Sequence, residues 1–308
     1  MRNDGYIYVD RIQSSDENIT ALAYYLRHYT HSSRDQWLSH FLAGNIYLNG
    51  VIATPDANLR RSDVLEYHRP PWEEEEVPTD IPLLAQGDGW CVFAKPSGIP
   101  VLPGGGFLQN TMLHVLRKRY GDALAPVHRL GRGTSGAMLF STTTDAAALL
   151  GAAMRGRLIE KTYLALVQGL PASDEFSVDM PIGKVPHTLL GSVFAAKAGG
   201  KLSLSYCRVL RRDSSRNESL VEVRIPTGRP HQIRIHCAWA GHPLVADPLY
   251  GPDGLPLTTG EGNVAVPGDC GYFLHSWKID FPLPAGSAHR EITAPPPAIL
   301  DPDRVSLP

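Results

Sequence analysis

An acidic run flanked by prolines divides this chain into two parts. Two prolines and a tryptophan are followed by four consecutive glutamates, Glu73 to Glu76, and then by another proline two residues later. Neighbouring like charges repel one another and proline has no backbone N–H, so this run is a poor core element and a good linker. The sequence therefore predicts a small N-terminal domain at 1–70, an acidic linker at 71–80 and a larger domain at 81–308.

Charge is shared unequally between these parts. The 308 residues include 29 Lys and Arg against 31 Asp and Glu, a formal net charge of -2. Residues 1–80 hold 7 basic and 13 acidic side chains, whereas residues 81–308 hold 22 basic and 18 acidic ones. A locally basic surface attracts a polyanion even on an acidic protein. The distribution therefore permits a nucleic-acid partner for the larger domain, although a solvated helix face shows a similar pattern.

Composition excludes several other classes of protein. A hydrophobic content of 43% and a charged content of 19% are typical of an ordered globular protein. No run reaches the roughly 18–20 apolar residues of a membrane span, and the first residues do not open a signal peptide, so no membrane partner is expected. The cysteines are far apart and form no CxxC pair, which favours a reduced, cytoplasmic protein. They lie at positions 91, 207, 237 and 270.

The N-terminal domain shows two helical patterns and a hairpin pattern. Residues 18–30 place apolar side chains at three- and four-residue spacing, the period of an amphipathic helix, and residues 34–43 form a second such segment. Two short β-type runs at 46–52 surround Asn49 and Gly50, the strongest short signal for a hairpin. We therefore expect a small α/β module of two helices followed by a hairpin.

One loop of the larger domain, HRLGRGTSG at 128–136, combines residues that suit an anion. Two arginines, two hydroxyl side chains and three glycines share its nine positions, and an apolar run follows. Glycines allow a sharp turn and a close approach of the backbone to a ligand. Arginines supply forked hydrogen-bond donors that match phosphate. The loop therefore predicts an anion-facing turn that leads into a buried strand.

The rest of the larger domain contains both strand and helix patterns. Runs rich in aromatic and β-branched residues predict strands, and apolar residues at helical spacing predict helices. A proline suits the first turn of a helix and a glycine its end, so the last helix is expected to begin at Pro230 and to stop at Gly241. Strands are predicted at 90–95, 160–169, 200–210 and 217–226, and the other helices at 110–120 and 145–157.

Several ordered motifs across residues 88–297 resemble those of the RluA-like RNA pseudouridine synthases. They read KPSGIPV, HRLGRGTSG, EKTYLALVQG, and GRPHQIRIH with the tail ADPLYG. The resemblance implies an α+β pseudouridine synthase fold, with a mixed, mostly antiparallel sheet, flanking helices and a central cleft. It also implies isomerisation of uridine to pseudouridine in structured RNA, either rRNA or tRNA. The family needs no cofactor and no metal, and a monomer is expected.

The N-terminal domain resembles a second known element. Two small helices followed by a hairpin are similar to the S-four-like RNA-binding module, over residues ~10–70. The acidic charge of this part departs from that pattern. A small packing domain that no longer binds RNA strongly is therefore the alternative.

The resemblance also assigns roles to individual side chains. Arg234 is expected to pair with the catalytic carboxylate and Tyr163 to stack on the uracil. Arg129 is expected to contact the RNA backbone near the flipped nucleotide and to help hold that nucleotide open. Without the motifs, a tyrosine in an alternating strand is more often a packing residue, and an arginine on a helix is usually solvated. Histidines in these motifs fit no standard zinc spacing, so no metal site is expected. The residues expected to contact RNA are Arg129, Arg132, Thr134, Arg229 and His231.

Gly131 stands where the family has its catalytic aspartate. Glycine has no side chain to serve as nucleophile or base, and losing the nucleophile of a serine protease costs ~10⁶ in rate, or about 8 kcal/mol. Asp145 and Glu160 flank the motifs and are candidates to replace the missing carboxylate. Asp247 matches a family aspartate that is normally structural, so it is not favoured.

Two functions therefore remain open from the sequence. One is an RNA pseudouridine synthase with an unusual or compensated site, which the retained Arg129, Tyr163 and Arg234 favour. The other is a non-catalytic RNA-binding member of the family, which Gly131 and the acidic N-terminal domain favour.

Overall fold

The chain divides into two compact units between Glu75 and Glu76, inside the acidic run. Each unit has its own buried hydrophobic core. No helix in the described part of the chain is long and apolar enough to cross a membrane. The computed structural model describes residues 2–29, 31–257, 264–284 and 288–303, so the end of the predicted 81–308 domain lies outside the described residues.

The N-terminal unit packs two helices on a four-stranded antiparallel sheet. The Thr20 side chain accepts a hydrogen bond from the Ala23 N–H and caps the first helix, and Ser33 forms a capping box with Gln36 at the start of the second. Thr30, the last residue of the first predicted helix, lies outside the described residues. The elements are β1 (Tyr6–Arg11), α1 (Ala21–His28), α2 (Arg34–Leu42), β2 (Ile46–Leu48), β3 (Val51–Ile52) and β4 (Val64–Arg69), with the strands in the order β1-β4-β2-β3.

Part of the segment predicted as a linker at 71–80 packs within this unit. The backbone N–H of the buried Asn3 donates to the Trp72 carbonyl over 3.1 Å, and its side-chain amide donates to Glu74 over 2.6 Å. The Arg69 guanidinium lies 3.5 Å from the centre of the Trp72 ring. Glu74 is buried, and the Asn3 amide supplies a hydrogen bond that a carboxylate needs when it is removed from water. Residues 72–74 therefore do not form a free linker.

The larger unit contains most of the helices and strands. Sequence patterns placed most of its longer elements to within two residues, as for the strand at 90–95, but the strand predicted at 200–210 lies at 205–213. Its helices are α3 (Met112–Tyr120), α4 (Thr144–Arg155) and α5 (Gln232–Trp239). Its strands are β5 (Leu83–Gly87), β6 (Trp90–Lys95), β7 (Ala125–Pro126), β8 (Ser135–Ser141), β9 (Glu160–Gln168), β10 (Glu175–Val178), β11 (Ile182–His187), β12 (Gly191–Ala196), β13 (Ser205–Asp213), β14 (Glu218–Arg224), β15 (Leu274–Pro282) and β16 (His289–Thr293).

A mixed sheet of ten strands organises the larger unit. Its main order is β10-β13-β14-β9-β15-β8-β6-β5, with β16 paired to β15 and β7 paired to β8, while β11 and β12 form a separate hairpin. Within the described residues, the β8–β15 pair is parallel and the other pairings are antiparallel. The fold class predicted from the sequence, α+β with a mostly antiparallel mixed sheet, is confirmed.

The parallel pair fastens the end of the 128–136 loop to β15. Gly136 lies opposite Ser276 in the register of the two strands. Its φ is +111°, and a Cβ at this position would lie 2.2 Å from the Ser276 carbonyl oxygen. Only glycine fits such a close approach with this backbone conformation.

Alternate residues of β8 face two different cores. Met138 and Phe140 belong to one hydrophobic cluster, on what we term the front face, and that cluster includes Ile233 and Cys237 of α5. Their neighbours Ala137 and Leu139 belong to a second cluster, on the back face, together with α4. Helices α5 and α4 therefore cover opposite faces of the sheet.

Helix α5 begins two residues later than predicted. His231 has a φ of +56°, in the left-handed region, so the helix starts at Gln232 rather than at Pro230. The Gln232 side chain accepts from the Arg229 N–H and from the Thr227 hydroxyl, which closes the preceding turn. Residues 232–238 are all buried. Because three of them are polar or charged, this helix is built around hydrogen bonds as well as apolar packing.

Candidate active site

Lys95 at the end of β6 fixes the shape of the 128–136 loop. Its ammonium is 1% exposed and donates to the carbonyls of Pro96, Arg132 and Thr134 over 3.0, 2.9 and 2.8 Å. The Ser97 hydroxyl donates to the carbonyl of Gly133 over 2.8 Å. Burial lowers the pKa of Lys95 to about 7. Side chains at the end of β6 and in the turn after it therefore hold the loop in its conformation.

Arg234 pairs with Asp247 in a fully buried ion pair. Its Nε and Nη2 donate to the two carboxylate oxygens over 2.7 Å each, and both side chains are at most 2% exposed. Asp247 also accepts the backbone N–H groups of Leu249 and Tyr250 over 2.9 and 3.0 Å. The carboxylate that Arg234 contacts is therefore Asp247, which the sequence treated as structural, and its expected pairing with a catalytic carboxylate stays a prediction. Four hydrogen bonds hold the Asp247 carboxylate in place, which suits a structural role.

Two tyrosine rings lie against the Arg234 guanidinium. Its Cζ is 4.1 Å from the centre of the Tyr272 ring and 5.0 Å from that of Tyr250. These are distances at which a cation is attracted to a ring face. The Tyr272 hydroxyl lies 3.3 Å from the Thr134 hydroxyl. Tyr272 therefore links Arg234 of α5 to the 128–136 loop. Thr134 is buried, and its expected contact with RNA stays a prediction.

His231 is held as a neutral side chain with a defined tautomer. The Tyr250 hydroxyl donates to the Phe194 carbonyl over 2.7 Å, so its oxygen accepts from His231 Nδ1, 2.8 Å away. The proton therefore sits on Nδ1, and Nε2 carries a lone pair. Burial and the nearby charges of Arg234 and Arg129 lower the pKa of His231 to about 4. At neutral pH this side chain is a hydrogen-bond acceptor.

The three arginines expected at phosphates differ in how they are held. Arg129 is exposed, and within the described residues its side chain forms no hydrogen bond or ion pair. Arg132 donates from Nε to the Gly98 carbonyl over 2.9 Å, and its Cζ lies 4.7 Å from the centre of the Phe107 ring. Arg229 donates from Nε to a backbone carbonyl over 3.1 Å. Arg129 is therefore the arginine most open to an incoming phosphate.

Tyr163 lies in the front-face cluster that also contains Leu130, Ile233 and Tyr272. The loop, β9 and α5 therefore each contribute a residue to one hydrophobic cluster on the front face of the sheet. Tyr163 is 6% exposed, and burial raises its pKa to about 12, so its hydroxyl is neutral at pH 7. Its expected stacking on a base stays a prediction.

Gly131 faces the Tyr272 hydroxyl. Its φ is not in the left-handed region, so the backbone would accept a side chain there. A Cβ at this position would, however, lie 2.9 Å from the Tyr272 hydroxyl oxygen and 3.5 Å from that of Thr134. The missing side chain therefore leaves no vacant space, because a tyrosine fills it.

The two acidic residues proposed as replacements lie away from this place. Asp145 is in the first turn of α4, the helix that covers the back face. Glu160 is exposed at the start of β9, three residues before Tyr163, which is about 10 Å along a strand. Within the described residues, neither forms a hydrogen bond or ion pair with the loop or with Arg234. The structure therefore gives no support to a compensating role for either carboxylate.

Sequence reasoning missed Tyr272 and Tyr250 as residues of this site. Tyr250 lies in the ADPLYG tail, so the motif itself carried a signal. Tyr272 precedes β15 and belongs to no recognised motif, so no local pattern could have found it. Within the described residues, no group of three or more His, Cys, Asp or Glu side chains is arranged to hold a metal ion.

Comparison with known proteins gives one consistent result. The family model described as RNA pseudouridylate synthase matches residues 89–239. An uncharacterised RNA pseudouridine synthase of Synechocystis is 38% identical over 284 residues, which span 92% of this chain and 96% of that protein. RNA pseudouridine synthase 5 of Arabidopsis thaliana is 36% identical over 349 residues, spanning 97% and 94%. The solved structure of human RNA pseudouridylate synthase domain containing 1 has the same fold, with a TM-score of 0.56 and 24% identity over 74% of this chain and 89% of that one.

Proposed function

We propose that this chain isomerises uridine to pseudouridine in structured RNA, because it belongs to the RNA pseudouridine synthase family. The similarity to known RNA pseudouridine synthases confirms the family and the enzyme class expected from the sequence. One observation supports a working site in this particular chain: the 128–136 loop, Tyr163 and the buried Arg234–Asp247 pair lie on one face of the sheet. Arg129, Tyr163 and Arg234, to which the family resemblance assigns roles in the reaction, are all retained, and a protein that only bound RNA would have less use for all three.

The reaction breaks the bond between uracil and C1′, turns the freed base and rejoins it through a ring carbon. The target nucleotide must first leave its stack, and a positive side chain next to the vacated place stabilises that state. Arg129 supplies this charge, because it is exposed and is not engaged by a described partner. Neutral His231, which lies near enough to Arg129 to feel its charge, offers an acceptor nitrogen that suits an O–H or N–H group of the nucleotide.

The partner and setting that we propose follow from the same residues. The basic side chains of the larger unit support an RNA substrate, rRNA or tRNA, and the N-terminal unit is proposed as an S-four-like RNA-binding module. All four cysteines are free thiols and three are buried, which supports a reducing, cytoplasmic setting. We also propose that this chain acts as a monomer, because the motifs that carry the site all occur within one sequence.

Replacing Arg129 by alanine tests the proposed reaction. Wild type should form pseudouridine in RNA taken from cells that lack the protein. Arg129→Ala should lower kcat/KM by about tenfold or more, the effect of losing one charge-assisted hydrogen bond to phosphate. Its melting temperature should not change, because Arg129 is exposed. Arg155→Ala, which removes an exposed arginine from α4 on the other face, is the matched control and should keep wild-type activity.

The same assay decides between the two functions left open by the sequence. The non-catalytic alternative is favoured by one observation, the absence of a side chain at Gly131. RNA that binds the wild type in a salt-sensitive way but never gains pseudouridine would establish that alternative and end our proposal.

A further inference from the structure

Tyr272 occupies the space in front of two glycines of the 128–136 loop. A Cβ on Gly131 would lie 2.9 Å from the Tyr272 hydroxyl oxygen, and one on Gly133 would lie 2.9 Å from ring carbon Cζ. Both distances are shorter than real Cβ contacts. Neither glycine has a φ in the left-handed region. Close packing against the tyrosine, and not backbone conformation, therefore explains why these two positions lack side chains.

The tyrosine is held firmly in this position. It is 4% exposed and packs in the front-face cluster. The Thr134 hydroxyl lies 3.3 Å from its own hydroxyl, and the Arg234 guanidinium lies 4.1 Å from the centre of its ring. Because both its ring and its hydroxyl contact neighbouring side chains, the position of its oxygen is well defined.

That oxygen lies at about the distance from residue 131 that an aspartate side chain would span. In an aspartate the carboxylate oxygens stand about 2.4 Å from Cβ, as covalent geometry requires. The Tyr272 oxygen is 2.9 Å from the Cβ position of Gly131, which is a similar distance. The phenol, which comes from a distant part of the chain, therefore brings an oxygen closer to this position than the Thr134 hydroxyl of the loop, which is 3.5 Å away.

We propose that the Tyr272 hydroxyl replaces a side chain at position 131 and contacts the sugar of the target nucleotide beside Arg234. This inference rests on the proposed function, since it assigns a role within the same site. Gly131 and Tyr272 are a matched pair in this account: the glycine makes room for the phenol, and the phenol provides the oxygen that the glycine lacks.

The hydroxyl acts as a hydrogen-bond donor and not as an anion. Burial raises the pKa of Tyr272, and the Arg234 charge offsets only part of that rise. The phenol is therefore protonated at neutral pH. Either hydroxyl can donate in the contact between Thr134 and Tyr272. In this proposal Thr134 donates to the phenol, and the phenol donates its own proton toward an oxygen of the ribose.

The test compares wild type with Tyr272→Phe, Gly131→Asp and the double variant that combines them. Tyr272→Phe should lower kcat by tenfold or more while KM for RNA and the melting temperature stay near wild type, because only one oxygen is lost. The double variant should turn over at least tenfold faster than Tyr272→Phe, because a carboxylate then enters the vacated place. Tyr120→Phe, a half-exposed tyrosine at the end of α3, is the control and should behave as wild type.

Melting temperatures test the matched pair independently of activity. Gly131→Asp alone should melt at least about 4 °C lower, because its side chain overlaps the phenol oxygen. In the Tyr272→Phe background the same substitution should cost less than half as much. Wild-type kcat in Tyr272→Phe would overturn the inference, and so would equal melting penalties in both backgrounds. If no variant forms pseudouridine, the proposed function fails, and the melting temperatures alone decide whether Gly131 and Tyr272 are matched.

Discussion

At the scale of single residues, Asp247 determines how Arg234 is held. The pair is bidentate and almost fully buried, so removing one charge leaves the other without compensation in the core. Asp247→Asn keeps an oxygen for the two backbone N–H groups but loses the negative charge. We expect it to lower the free energy of unfolding by about 3–5 kcal/mol. Denaturant unfolding measures this change.

The control for that experiment is an ion pair of the same type at the surface. Asp174 contacts Arg212 over 2.7 Å, but its side chain is 81% exposed. Asp174→Asn should therefore leave stability almost unchanged, as is usual for exposed pairs. An equally small effect at Asp247 would mean that the buried pair does not hold the site together.

Single residues also show what the sequence could and could not predict about the site. The motifs pointed to the 128–136 loop, to Tyr163 and to helix α5, and the structure has Leu130, Tyr163 and Ile233 in one cluster. They could not show that Tyr272 fills the space beside Gly131, because that contact joins residues far apart in the chain. The same limit explains why Asp145 and Glu160 were candidates: proximity in sequence to a motif does not imply proximity in space.

At the scale of elements, the link between β6 and the 128–136 loop makes stability depend on pH. Because burial lowers the pKa of Lys95 to about 7, the folded chain releases this proton at a pH where the unfolded chain keeps it. The free energy of unfolding should therefore gain up to about 1.4 kcal/mol per pH unit from this group between pH 7 and its ordinary pKa. Below pH 7 both states are protonated and the full cost of burying the charge remains.

Lys95→Met isolates this contribution. Denaturant unfolding of wild type and variant at pH 7, 8 and 9 should show wild type gaining stability relative to Lys95→Met as the pH rises. Lys118→Met, which changes an exposed lysine of α3, should show the same dependence of stability on pH as wild type. A difference between wild type and Lys95→Met that stays constant with pH would show that Lys95 titrates at its ordinary value.

Local patterns located elements well where the signal lies within the element itself. The strand at 90–95 was predicted to the residue, and the hairpin turn at Asn49 and Gly50 has the positive φ angles that it requires. Helix α5 was misplaced by two residues because the left-handed backbone of His231 is set by its contact with Tyr250. Strands β1 and β4 pair across most of the N-terminal unit, a contact that no short window of sequence contains.

At the scale of the whole molecule, charge predicts where RNA binds and how salt affects it. The basic excess lies in residues 81–308, so the larger unit should carry most of the affinity. Affinity should fall steeply with salt, because each phosphate contact releases counterions. Arg129→Ala should reduce the slope of log affinity against log salt by about 1, the value for one lost phosphate contact.

A titration between low and physiological salt measures that slope. Arg155→Ala, which removes an exposed arginine from α4, provides the comparison and should leave the slope near that of wild type. Affinity that stays flat with salt in the wild type would contradict a phosphate-binding surface on the larger unit.

The position of β15 has a consequence for when this protein becomes competent during its synthesis. This strand comes late in the sequence, yet it lies in the middle of the sheet between β8 and β9. Until residues 274–282 have left the ribosome, β8 and β9 have no common neighbour, and Tyr272 cannot reach the loop. A ribosome-bound chain therefore cannot complete this sheet and site until close to the end of its translation.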